Sequence, residues 1–213
     1  MAIWFAILRP IVQDPGYHAF ADARTLLGVP NFWNVISNIP FFIVALYGIR
    51  ALRSRTAFIE TWERIAYCDL HPDNARLFWD RLPMTVVFMS LVATTIGERI
   101  GMRAGKSLLL PLILTGLGSV LYWRFTGDLR LYALIQFGSM LALPILLLLF
   151  PPRYSRAGAV WCTVILYAIA KTAELLDRQI ASVIATGGHP WKHVAAAAAI
   201  FVYISAVARR RPL

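Results

Sequence analysis

Residues 131–152 read LYALIQFGSMLALPILLLLFPP, and this stretch decides the fold. No charged side chain lies within it, and nearly every position is apolar. Thr25 to Ile49 is a second run without charge. Both exceed the roughly 18 residues that mark a membrane-span candidate.

Working outward from these two runs, the chain divides into six apolar spans. The first runs from about Phe32 to Leu52 and the second from near Trp79 to near Gly97. The third lies between Lys106 and Arg124, and the fourth between Arg130 and Arg153. The fifth starts near Ala157 and continues past Lys171 toward Ile180, and the sixth runs from Pro190 to Ala208. The expected fold is an all-α, polytopic transmembrane bundle, with residues 1–213 as one domain. Composition agrees. Of 213 residues, 59% are hydrophobic and only 15% charged, against about 25% charged in a soluble domain. Mean hydropathy is +0.62.

The net charge is +10. Its arginines fall between the apolar runs, as cytoplasmic flanks do. Anionic lipid headgroups therefore explain the charge better than nucleic acid. Two cysteines, Cys68 and Cys162, are too few for a disulfide framework. Cys162 sits in an apolar run and is expected to be a small buried side chain. The apolar start MAIWFAILRP lacks a basic flank and a small-residue cleavage site, so it does not read as a signal peptide.

The charge pattern raises a parity problem. Arg50, Arg53 and Arg55 follow the first span, and Arg209 to Arg211 follow the last. The positive-inside rule puts both clusters in the cytoplasm. Counting back from a cytoplasmic C-terminus, six spans leave Arg50 to Arg55 outside. Seven spans bring them inside and put the N-terminus outside. The extra crossing would fall between Thr56 and Arg76, a stretch with Glu60, Glu63, Arg64, Asp69 and Asp73 that cannot make an ordinary span.

Four segments carry chemistry-bearing residues. In HPWKH, His189 and His193 stand at i, i+4 on one helix face, a spacing that lets both bind one metal ion. Pro190 suits a first helical turn, placing His189 at or just before a helix start. Alone, this spacing is a weak signal, and an interfacial pair without metal is the commoner outcome. In DLHPDNARLFWDRLPMT, Asp69, His71, Asp73 and Asp80 cluster before the second span. Asp73 reads as a helix cap. Asp80 does not, because Arg76 to Trp79 already read as helix. Carboxylates at such depth are rare and often functional. In PNFWNVISN, Asn34 and Asn38 are i, i+4 within an apolar span, for which interhelical hydrogen bonds are the simple explanation. Upstream, Asp14, Asp22 and Asn31 offer oxygen ligands of the type calcium accepts, without diagnostic spacing. In KTAELLDR, Lys171, Glu174 and Arg178 share one helical face that must look inward or sit near the interface. An ion-pair ladder accounts for that face equally well.

Together these blocks resemble the alkaline ceramidase family of integral membrane amidases, in particular its bacterial members. The resemblance rests on DPGYHAFADARTLLGVPNFWNVISN, PDNARLFWDRLPMT, SVLYWR, FPPRY, ELLDRQI and GHPWKH, in that order, and covers most of the chain. It implies seven helices, an external N-terminus, a cytoplasmic C-terminus and, for this chain, a place in the bacterial inner membrane. It implies a zinc ion held by three histidines, two of which match His189 and His193. The third belongs to the second helix, a turn after a serine, and an aspartate eleven residues further on matches Asp80. This chain departs from that pattern. Aligned back from PDN, Asp69 stands at the histidine position and Ile65 at the serine position, with His71 two residues displaced. The absent helix is the crossing that the arginine parity also asks for.

The implied chemistry is hydrolysis of the amide bond of ceramide or a related N-acyl lipid, giving a sphingoid base and a fatty acid. Zinc would lower the pKa of a water ligand to about 7 and polarise the carbonyl, while the aspartate manages the proton. A two-His, one-carboxylate zinc set with Asp69 is chemically workable. The missing serine removes an oxyanion donor, a loss of roughly 100-fold or more in rate. The alternatives are a non-catalytic, lipid-binding relative and, in last place, a small transporter using the KTAELLDR face.

Overall fold

The computed structural model describes residues 9–52 and 74–213, apart from the side chains of Leu52, Ala75 and Arg76. Its helices in chain order are α1 (Phe32–Ile36), α2 (Ile39–Leu52), α3 (Asn74–Arg99), α4 (Met102–Thr126), α5 (Arg130–Leu149), α6 (Gly158–Leu175), α7 (Asp177–Ala181) and α8 (His189–Arg209). No strand occurs among the described residues, only isolated bridges such as Tyr154 with Pro212. Six stretches of helix are long and apolar enough to cross a membrane: Phe32–Ala51, Leu77–Arg99, Met102–Thr126, Arg130–Leu149, Gly158–Leu175 and His189–Arg209. The protein is thus an all-α, multi-pass membrane protein. The stretch from Thr56 to Asp73, with Asp69 and His71, lies outside the described residues.

The chain forms two compact units. One holds residues 9–17 and 81–153. Within it α3 and α4 run side by side after a tight turn, brought together by small residues. A Cβ on Gly105 would stand 2.6 Å from the Gly97 Cα and 2.8 Å from the Ala93 carbonyl oxygen. Ala93 and Gly97, at i, i+4, form the small stripe that permits this approach, the usual device where packing rather than water exclusion joins helices. Val120 and Ser119 are buried, whereas Leu110, Leu114 and Phe125 on α4 are exposed, as befits a helix whose outer side meets acyl chains. Arg81 is buried in this unit. Its guanidinium stacks 4.1 Å from the Trp123 ring centroid and 4.6 Å from that of Tyr132, and it donates to Gln13 Oε1 at 2.6 Å. Arg99 donates to the Phe150 carbonyl at 2.8 Å, satisfying an acceptor at the end of α5. Asp128 receives the Arg130 guanidinium at 2.7 Å and the Arg130 backbone N–H at 3.0 Å.

The other unit holds residues 18–52, 74–80 and 154–213. Its centre is α8, an alanine-rich helix packed against α6 and α2. Val44, Ala197 and Ile204 are buried together, with Phe41, Tyr47 and Ile200 packed around them. Ser205 donates to Tyr47 Oη at 3.1 Å.

The first span stands where the sequence put it, Phe32–Ala51, with its helix interrupted at Ser37 and Asn38 and resumed as α2 at Ile39 with Pro40 in its first turn. Two expectations change here. The fifth span stops at Leu175 rather than running toward Ile180, because the chain bends at Leu176 and continues as the short α7. Cys162 is exposed, not buried. In lipid the outward face of a span is as apolar as the inward one, so composition alone does not reveal which way the thiol points.

Candidate metal and lipid site

The end of α8 where the helix begins is built by two glycines and one carboxylate. Gly187 has φ +69°, and a Cβ there would lie 2.5 Å from Asp177 Oδ1. At Gly188 a Cβ would meet the Ala173 carbonyl oxygen at 2.1 Å. Only glycine allows the loop to come this close to α6. The Asp177 carboxylate then receives the backbone N–H groups of Gly188 at 2.7 Å and His189 at 2.8 Å on Oδ1. Its Oδ2 receives that of Ala21 at 2.8 Å. A negative charge here satisfies free helical donors and suits the dipole.

His189 is the first residue of α8, with Pro190 in the first turn as its sequence indicates. His189 and His193 are both buried, at 5% and 6% exposure, and their ring centroids are 4.9 Å apart. The Phe20 ring lies 4.2 Å from that of His189, and Phe41 lies 6.1 Å from His193. His193 Nδ1 is 2.8 Å from Ser37 Oγ, at the break in the first span. Ser37 also donates to the Asn34 carbonyl at 2.8 Å.

Asn34 and Asn38 are buried, as their place in the sequence suggests, and their Nδ2 groups donate to nearby backbone carbonyls. Asn34 Nδ2 donates to the Asp22 carbonyl at 3.2 Å, and Asn38 Nδ2 to the Asn34 carbonyl at 2.9 Å. Asn38 secures the broken turn, and Asn34 ties it to the segment before it at Asp22. Asp22 is clamped by Arg24 through two bonds of 2.7 Å, and Arg24 reaches on to the Ala185 carbonyl at 2.9 Å. That guanidinium holds the Asp22 carboxyl below its ordinary range. Asp14 caps its own turn, accepting the Gly16 N–H at 2.8 Å. Asn31 is in the left-handed region at φ 50°. The oxygen atoms considered for calcium thus have local structural partners at Asp14 and Asp22.

The KTAELLDR face is an ion-pair network at its first two positions. Glu174 pairs with Lys171 on its own helix and with Lys192 on α8, the latter at 2.9 Å. Arg178 is exposed on α7, beyond the bend at Leu176, and so leaves the face that helical periodicity gave it. Lys192, inside HPWKH, supplies the second cation instead.

Asp80 belongs to the same compact unit as the histidine pair and is half-buried. It lies within α3, six residues after Asn74, so it is not an N-cap. Among the described residues no three His, Cys, Asp or Glu side chains are grouped to hold a metal ion. The donor set nevertheless suits zinc in part: two buried imidazoles one helical turn apart are common zinc ligands. Asp69, the third expected ligand, lies outside the described residues. Ser37 and Asp177 were not singled out from the sequence as part of this site. Ser37 had a signal, since Pro40 suits the first turn of a helix and so marks a new helix start just after Ser37. In comparisons with family models, with curated proteins and with solved structures, none matches this chain.

Proposed function

We propose that the protein is a zinc-dependent membrane amidase of the alkaline ceramidase type, hydrolysing the amide of ceramide or a related N-acyl lipid. One observation carries this reading: His189 and His193 are buried side by side at the start of the last span, with His193 held by Ser37. Buried imidazoles in a membrane bundle are costly and tend to be functional. His189 and His193 would hold the metal, with Asp69 as third ligand. When bound, zinc supplies Lewis-acid polarisation of the amide carbonyl and activates water.

The chain's own groups do the rest. Asp80 takes the proton of the attacking water and returns it to the leaving nitrogen as the C–O bond forms and the C–N bond breaks. The products are a free amine on the sphingoid base and a fatty acid. The exposed apolar faces keep the protein at the depth where a two-chain lipid presents its amide. The proposed topology has a cytoplasmic C-terminus in a bacterial inner membrane.

A second reading, a non-catalytic lipid-binding relative, has its own support. Two carboxylates against the histidine helix are engaged, Glu174 by two lysines and Asp177 by backbone N–H groups, and Asp22 upstream is engaged by Arg24. Release of fluorescent fatty acid from a labelled ceramide in detergent micelles separates the two. The amidase reading expects turnover that Asp80→Asn lowers at least about 100-fold, the scale of a lost general acid–base. Folded protein without turnover supports the lipid-binding relative.

A further inference from the structure

We propose that Ser37 is the positioning residue that fixes the tautomer of His193, holding its proton on Nδ1 and its lone pair on Nε2. A serine hydroxyl has one hydrogen. The Asn34 carbonyl oxygen, 2.8 Å from Ser37 Oγ, can only accept, so that contact uses the hydroxyl hydrogen. His193 Nδ1, also 2.8 Å from Ser37 Oγ, must then be the donor of the second bond. A neutral imidazole that donates from Nδ1 carries its lone pair on Nε2.

The backbone makes this arrangement available. Ser37 stands at the break between α1 and α2, and Asn38 Nδ2 secures the same turn by donating to the Asn34 carbonyl at 2.9 Å and the Val35 carbonyl at 3.3 Å. Asn34 is tied in turn to the Asp22 carbonyl. Ser37 is 9% exposed and His193 6%, so water does not easily replace either partner. Bonds of this kind to the second ring nitrogen orient metal-holding histidines, and their loss lowers metal affinity about 10–100-fold. The role toward a metal rests on the amidase reading. The tautomer does not.

The test is NMR on metal-free protein in micelles, with nitrogen-15 in the histidines, at a pH well above the ordinary imidazole value of about 6.5. The chain has four histidines, and His193→Gln assigns the signal. Wild type is expected to show protonated Nδ1 and unprotonated Nε2 at His193. Ser37→Ala is expected to release a mixture containing the Nε2–H form, and Ser37→Thr, which keeps the hydroxyl, to restore the single tautomer. An Nε2–H tautomer in wild type overturns the proposal whether or not the variants fold, as does an unchanged tautomer in folded Ser37→Ala. Zinc titration of the same samples separates the two readings. Tautomer control without zinc binding rejects the amidase but upholds Ser37. A zinc affinity above micromolar in wild type and unmoved in Ser37→Ala, with an unmoved tautomer, upholds the metal site but rejects Ser37.

Discussion

Asp22 and Asp177 are two carboxylates of one unit with opposite partners. Asp177 binds backbone N–H groups and shapes the start of α8. Asp22 binds a guanidinium, and Arg24 carries that link to the loop before α8 through the Ala185 carbonyl. Because Arg24 holds Asp22 below the ordinary carboxylate range, the pair stabilises the fold wherever Asp22 is ionised. This contribution is complete above the unfolded-state pKa of about 3.9 and is lost as pH falls through the lower folded value. The Arg24 side chain is 49% exposed, so solvent screens the pair and its contribution is small. Asp22→Asn should therefore be slightly less stable than wild type in denaturant titrations above pH about 4. The gap should close at lower pH. A gap that persists unchanged in acid would show that ionisation of Asp22 is not what the Arg24 contact uses.

At the scale of helices, the contact of α3 with α4 depends on Gly105. Alanine there would press a Cβ onto the backbone of Gly97 and Ala93, at 2.6 and 2.8 Å, and backbone cannot move aside as a side chain can. Gly105→Ala should destabilise by about 1–3 kcal/mol or more, as overpacking does. Gly118→Ala, on the same helix with nothing within 4 Å of its Cβ, should gain up to about 1 kcal/mol from helix propensity. Detergent-induced unfolding followed by circular dichroism reads both, and equal effects would contradict the packing described. The spans themselves were legible in the sequence because lipid demands long uncharged runs. The end of α6 was not, since Lys171, Glu174 and Arg178 keep helical spacing through the bend. What stops the helix is tertiary, the Asp177 carboxylate turned toward the N–H groups of Gly188 and His189. The break at Ser37 is secured by amides that look like membrane amides seeking another helix: Asn38 bonds carbonyls of the turn itself, and Asn34 bonds the Asp22 carbonyl of the segment before it.

For the molecule as a whole, six spans are present among the described residues, while the arginine pattern fits seven. The residues that would settle the parity, Thr56 to Asp73, include Asp69 and His71. The candidate site was half legible for a related reason. The i, i+4 pair at His189 and His193 follows from helix geometry alone, and both rings are buried. Ser37 is far from it in sequence, and helix periodicity cannot bring the two together. The central claim is that this pair holds a metal. Elemental analysis of purified wild type and of His189→Ala tests it most directly, with circular dichroism to confirm that both are folded. The account predicts about one zinc per chain in wild type and loss of nearly all of it in the variant, since removing one of three ligands leaves an incomplete site. Folded wild type without stoichiometric zinc, or equal zinc in the two proteins, would contradict it.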